Sequence, residues 1–128
     1  MSRKKAVRSA FRAAVLGRDG YRCVVCGKVG RDRQGGDGHV RFHPAAPLAS
    51  LVPLDAHHIT DRQLLPNGGS VPENGITLCD DECHRLAELF HETGTPHPGF
   101  APADLYARIG SSREEALRAS ARFDAPDG

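Results

Sequence analysis

The sequence predicts a small α+β domain that a bound metal ion stabilises. Two short apolar segments, residues 54–59 and 75–78, predict strands, and a segment with helical periodicity follows them. Four cysteines lie around these segments in two close pairs. The 128 residues include no Trp, two Tyr and five Phe. Small domains with so little apolar volume commonly depend on disulfides or metals for stability.

Three further regions complete the predicted organisation. Residues 4–17 predict a helix, because Val7, Phe11 and Val15 recur at helical spacing, and its basic residues occupy another face. These basic residues are Lys4, Arg8 and Arg12. Residues 30–38 predict a turn-rich loop, and Val40, Phe42 and residues 51–54 could add short strands.

The helix after the second strand should begin at a cap provided by Asp80 or Asp81 and end at Gly94. Two short helices should follow, at residues 104–109 and after Ser111 or Ser112. We therefore expect a basic N-terminal helix (residues 1–17), a core (18–94) and a C-terminal helical extension (95–128) that packs without contributing chemistry.

The charge distribution is strongly asymmetric although the net charge is only +1. Residues 1–33 carry ten Lys and Arg against two acidic residues, a balance of +8, whereas residues 34–128 carry seven basic and fourteen acidic residues, a balance of −7. A basic segment predicts a polyanionic partner, of which nucleic acid is the commonest. The alternative is a solvated helix face that binds nothing.

The cysteines have two interpretations, disulfides or metal ligands. The first residues are charged and polar, unlike a signal peptide, and no apolar run is long enough to cross a membrane, so we expect a cytoplasmic protein without a membrane partner. Thiols stay reduced in that compartment, which favours a structural zinc ion over disulfides or unbound thiols. Three residues separate the second pair, which would place both sulfurs on one face at a helix start. The predicted ligands are Cys23, Cys26, Cys79 and Cys83.

The order of these cysteines, the pair His57 and His58, then Asn74 and His84, closely resembles the HNH endonucleases. That family has a zinc-clamped, treble-clef-like ββα-metal core, and the resemblance covers roughly residues 18–90. It implies a bacterial or phage enzyme that hydrolyses phosphodiester bonds in nucleic acid, with DNA as the expected substrate.

The resemblance also implies a role for each of these residues. His57 and His84 match the ligands of a catalytic divalent ion, His58 matches the general base, and Asn74 matches the residue that braces the loop and orients the base. Many members have Asp where this chain has His57, a departure that resembles the bacteriocin nucleases. Nitrogen donors suit transition metals, so Mn²⁺ or Ni²⁺ is expected beside Mg²⁺. A second departure is the spacing of Cys79 and Cys83, because the family has two intervening residues.

Two other functions remain open at this level. A non-catalytic, zinc-stabilised module could bind nucleic acid with the basic helix alone, and a toxin or effector nuclease would share the same core. Arg62 could contact a phosphate or be a solvated loop residue. Nothing in the sequence indicates an oligomeric state or a target.

Surface or structural roles are expected for His39, His43, His91 and His97, of which His91 shares a helix face with His84.

Overall fold

The computed structural model describes residues 3–34, 41–47 and 50–123. These residues form a mixed α/β structure with four helices and a three-stranded sheet, which agrees with the predicted combination of helices and strands. None of the helices in these ranges combines the length and the hydrophobicity needed to cross a bilayer. The elements are α1 (Arg3–Arg18), β1 (Gly30–Asp32), β2 (Val52–His58), β3 (Gly75–Cys79), α2 (Cys83–Thr93), α3 (Pro102–Arg108) and α4 (Arg113–Arg122).

The sheet has the order β1-β2-β3. β2 and β3 are antiparallel and pair from Leu54 opposite Cys79 to His58 opposite Gly75, which confirms both predicted strands within two residues. Three 3-10 turns connect them, at Arg62–Leu64, Pro66–Gly69 and Pro72–Asn74.

The prediction of a loop over residues 30–38 is wrong at its start, because Gly30–Asp32 forms β1, parallel to β2. The strand lies close to its neighbour: a Cβ atom on Gly30 would be 2.1 Å from the carbonyl oxygen of Val52. Phe42 forms only an isolated bridge with Arg31. Val40 and His39 lie outside the described residues.

Helices α1, α3 and α4 share one hydrophobic core with the sheet. Gly75 of β3 allows α1 to approach, because a Cβ atom there would be 2.4 Å from Val15 Cγ2. The C-terminal helices contribute Leu105, Tyr106 and Ala116 to the same core. Helix α1 therefore packs on the central strands, whereas α4 packs on the 3-10 turns that connect β2 and β3.

Arg12 contradicts the prediction that it lies with Lys4 and Arg8 on a basic face of α1 that is available to a polyanionic partner. Its side chain is buried, with Nε 2.9 Å from Asp32 Oδ1 and Nη1 2.6 Å from Asp55 Oδ1. Burial alone would lower the pKa of Arg12, but the two carboxylates outweigh it and the pKa is raised. Lys4 and Arg8 are exposed, as predicted.

Capping residues explain some, but not all, of the helix ends in the C-terminal half of the chain. The prediction of a cap at Asp80 or Asp81 is wrong, because Glu82 precedes α2 and makes no side-chain capping bond. The predicted end at Gly94 is confirmed by its φ of 78° and its N–H bond to the Phe90 carbonyl. Ser112 caps α4, since its hydroxyl accepts a hydrogen bond from the N–H of Glu115.

Candidate functional site

The four cysteines form one cluster, as predicted. Their sulfur atoms all lie within 4.8 Å of one another, and Cys26 and Cys79 are 3.7 Å apart. A tetrahedral zinc ion with Zn–S bonds of about 2.3 Å separates its sulfurs by about 3.8 Å. All four side chains are free thiols, so the cluster could hold a zinc ion.

The sulfurs converge for a different reason from the one predicted for the second pair. Cys79 ends β3 and Cys83 begins α2, so they do not share a helix, and the Cys83 N–H donates to Cys79 Sγ at 3.3 Å. The first pair lies in a tight turn in which the Gly27 N–H donates to the Cys23 carbonyl. Burial raises the pKa of Cys79 to about 11, so this thiol needs a nearby cation to ionise at neutral pH.

A second cluster brings His57 and His84 together and adds Glu88, which the sequence interpretation missed. Glu88 Oε1 lies 3.2 Å from His57 Nδ1 and 3.1 Å from His84 Nε2. Donors around one ion at about 2.1 Å are separated by about 3.0–3.4 Å, so these distances suit a shared metal. The sequence signal that could have identified Glu88 was its spacing, since it lies four residues after His84 on α2 and therefore on the same helix face.

The chemistry of these donors also suits a metal. His57 Nδ1 is buried and makes no well-aligned hydrogen bond within the described part of the chain, although Glu88 Oε1 lies only 3.2 Å away. Burial lowers the pKa of His57, and the contact with His57 is the largest cause that lowers the pKa of Glu88 to about 2. A neutral imidazole and an ionised carboxylate are the forms that bind metals.

Two carboxylates face the other nitrogen of His84. Nδ1 lies 3.4 Å from Asp55 Oδ2 and 3.5 Å from Asp80 Oδ1. Arg33 contacts both carboxylates, and Arg12 binds Asp55 as well, so guanidinium groups already offset much of their negative charge. With Nδ1 donating to these oxygens, Nε2 keeps the lone pair that a metal requires.

His58 lies outside the ligand cluster, as strand alternation predicts. Its ring stacks on Phe11 at 4.3 Å, and its Nε2 is 3.2 Å from Ser70 Oγ. No hydrogen bond joins Nδ1 to another of the described residues. Burial and then the charge of Arg62 lower the pKa of His58 to about 4, which keeps the ring neutral at physiological pH.

Asn74 ties together the two ends of the connection between β2 and β3. Its Oδ1 accepts from the Thr60 N–H and the Tyr106 hydroxyl, at 2.9 and 2.7 Å. Its Nδ2 donates to the Thr60 and Gly69 carbonyls, at 3.0 and 3.1 Å. Asn74 thus braces this loop, while its role in orienting a base stays a prediction. The Tyr106 bond also shows that the C-terminal extension reaches this network, contrary to the expectation of simple packing.

One cleft of about 290 Å³ contains both the ligand cluster and His58. Arg8 of α1 and Arg62 of the following loop also line it, and both side chains are exposed. An anionic group that enters the cleft would therefore meet two accessible guanidinium groups beside the metal-binding side chains.

The remaining described histidines make structural contacts. His91 Nε2 donates to the His58 carbonyl at 3.0 Å, and its ring lies 5.2 Å from that of His57. His43 Nδ1 accepts from the Ala45 N–H, and His97 packs against the ring of Phe100. His91 thus fixes the end of β2 against α2.

Comparison with protein-family models, with curated proteins and with solved structures finds no match for this chain. The function is therefore argued from the residues and geometry described above.

Proposed function

We propose that the chain is a metal-dependent HNH endonuclease that hydrolyses phosphodiester bonds in nucleic acid, with DNA as its substrate. In this proposal β2, β3 and α2 are the ββα-metal core, and the cysteine cluster holds its structural zinc. One observation carries the proposal. A single cleft contains a cluster of two histidines and a carboxylate, His57, His84 and Glu88, and is also lined by His58, whose lowered pKa keeps its ring neutral at physiological pH.

The ligand cluster and the rim of the cleft have separate tasks. A divalent ion such as Mg²⁺, Mn²⁺ or Ni²⁺, when bound, supplies stabilisation of the negative charge that develops on the phosphoryl and leaving oxygens. Asp55 and Asp80 keep His84 oriented for that ion. Arg8 and Arg62 contact phosphates of the substrate strand.

His58 acts as the general base. We assign the proton of the neutral ring to Nε2, from which Ser70 Oγ can accept a hydrogen bond, so that Nδ1 keeps its lone pair and takes the proton from the attacking water. The positive charge of Arg62 contributes to the low pKa of His58. When Arg62 pairs with a phosphate, that charge is offset and the pKa of His58 rises toward its ordinary value, which makes the imidazole a stronger base.

The first test is cleavage of plasmid DNA, single-stranded DNA and RNA with Mg²⁺, Mn²⁺, Ni²⁺ and Zn²⁺, against an EDTA control. His58→Ala should lower the cleavage rate by about 10² or more, while DNA affinity changes only a few-fold. His97→Ala is the matched control, because His97 is exposed and lies outside the cleft. It should cleave at the parent rate.

A metal titration separates the base from the ligands. His84→Ala and Glu88→Gln should lose cleavage through weaker ion binding and recover part of it at high Mn²⁺, whereas His58→Ala should not recover. Cleavage by His58→Ala at the parent rate would reject His58 as the base.

The second candidate is a zinc-stabilised module that binds nucleic acid without cleaving it. Lys4 and Arg8 are exposed on α1 and would suffice for such binding. The cluster of His57, His84 and Glu88 favours the enzyme, because binding alone does not need a second set of metal-binding side chains beside the four cysteines. If the parent protein binds DNA but cleaves nothing with any metal, the binding module replaces the endonuclease.

A further inference from the structure

Ser120, near the end of α4, holds the segment that ends at Ser70. We call this segment, residues 66–70, the anchor loop. The buried hydroxyl of Ser120 accepts from the Gly69 N–H at 3.1 Å and donates to the Pro66 carbonyl. The Ser120 carbonyl accepts from Asn67 Nδ2 at 2.9 Å. One residue of the C-terminal extension thus contacts three of the five residues of the loop.

The backbone of the anchor loop needs such support. Asn67, Gly68 and Gly69 all have positive φ values, of 58°, 85° and 65°. Three consecutive residues in the left-handed region are unfavourable for a free chain, and Asn67 carries a side chain that adds to the cost. A conformation of this kind persists where surrounding contacts impose it. Ser120 binds the N–H of Gly69, and Asn74 binds its carbonyl.

The residue after Gly69 is Ser70, whose hydroxyl contacts His58 Nε2 at 3.2 Å. The N–H and the carbonyl of Gly69 are both hydrogen-bonded, and these bonds restrict the position of Ser70, the next residue. Phe11 stacks on the His58 ring and restricts its plane, but the Phe11 side chain has no group that could form a hydrogen bond with a ring nitrogen. Ser70 is therefore the hydrogen-bonding contact of the His58 ring among the described residues.

We propose that Ser120 is a positioning residue for His58, acting through the anchor loop and Ser70, and that the C-terminal extension is thereby part of the proposed active site. The role of His58 as a base rests on the proposed function. The coupling between Ser120 and the His58 ring does not, because it is a property of the folded chain.

Ser120→Ala tests the coupling, with Ser112→Ala as its matched control. Both variants remove a serine hydroxyl from α4, but Ser112 caps the helix and makes no hydrogen bond to the anchor loop. The first readout is ¹⁵N NMR of the His58 ring at one fixed pH, without added divalent ion. The parent and Ser112→Ala should show the same ratio of the two ring tautomers, whereas Ser120→Ala should show a different mixture, because the Ser70 contact with Nε2 is displaced.

Variants of Ser70 connect this readout to the loop. Ser70→Ala should give the same mixture as Ser120→Ala, and Ser70→Thr, which keeps the hydroxyl, should restore the parent signal. The second readout is catalytic: kcat of Ser120→Ala should fall about tenfold with KM and zinc content unchanged, since small displacements of a reacting group slow the chemical step.

Asn67→Gly provides an independent variant should Ser120→Ala fail to fold. It removes one bond to α4 at an exposed position, and glycine tolerates the positive φ there. It should also change the tautomer ratio of His58. Parent-like His58 signals in both variants, or equal changes in Ser112→Ala, would overturn the proposal. If the parent cleaves no substrate, the endonuclease proposal fails while the NMR comparison still decides the coupling.

Discussion

Arg12→Ala should destabilise the protein far more than its position on a basic helix suggests. Arg12 is 8% exposed, and its partners Asp32 and Asp55 are 8% and 4% exposed. The substitution leaves two buried carboxylates without the guanidinium that joins them. Arg8→Ala is the matched control, because Arg8 lies one turn earlier on α1 and is exposed.

The magnitude follows from what remains around the carboxylates. Removing one partner of a buried ion pair costs about 3–5 kcal/mol of unfolding free energy. Arg41 stays 3.1 Å from Asp32 and Arg33 stays 3.2 Å from Asp55, so the loss should lie near the lower value, about 3 kcal/mol. With a urea slope of about 1.5 kcal/mol/M, the midpoint should fall by about 2 M.

Urea unfolding followed by circular dichroism measures this difference. Arg8→Ala should stay within about 0.5 kcal/mol of the parent. Arg12→Lys should fall between the two, because one ammonium group does not reproduce the bonds of a planar guanidinium to two carboxylates. Equal midpoints for Arg12→Ala and Arg8→Ala would show that the buried pairs do not stabilise the fold.

Three further predictions concern the zinc, the basic helix and pH. Elemental analysis should find one zinc per folded chain, and Cys26→Ser should lower both zinc content and thermal stability; parent-like stability in that variant would exclude a structural zinc site. Changing Lys4 and Arg8 together to Ala should reduce the slope of log DNA affinity against log salt by about 2, with zinc content unchanged, and an unchanged slope would mean that this face is only solvated. Because the pKa of His58 is about 4 in the folded protein and near 6.5 when unfolded, its stabilising contribution is complete above pH 6.5 and is lost as the pH falls toward 4. Without added divalent ion, urea midpoints should show about 2 kcal/mol less stability at pH 5 than at pH 7 from this group, and His58→Ala should lack that part of the pH dependence.

Local patterns in the sequence predicted the elements that carry the site. The apolar segments around His57 and Ile76 are strands, and the periodic segments are helices, because alternation and helical spacing both report which side chains are buried. The four cysteines were recognisable by their paired spacing, and they do converge.

The tertiary structure decided which side chains the strands and helices bring together. Glu88 joins His57 and His84 only because α2 packs beside the end of β2. Arginine is usually a surface residue. Arg12 is buried because the fold brings Asp32 and Asp55, 20 and 43 residues away in the sequence, beside its side chain.

The same distinction explains the C-terminal extension. The start of α4 was predictable from the sequence, since the Ser112 cap is a local signal. Only the tertiary structure brings Tyr106 to Asn74 and Ser120 to the anchor loop, across 32 and 51 residues of chain. Local periodicity determines the buried face of an element, whereas the partner of a buried polar group depends on how separate elements pack, because its hydrogen bonds must be satisfied wherever the fold places it.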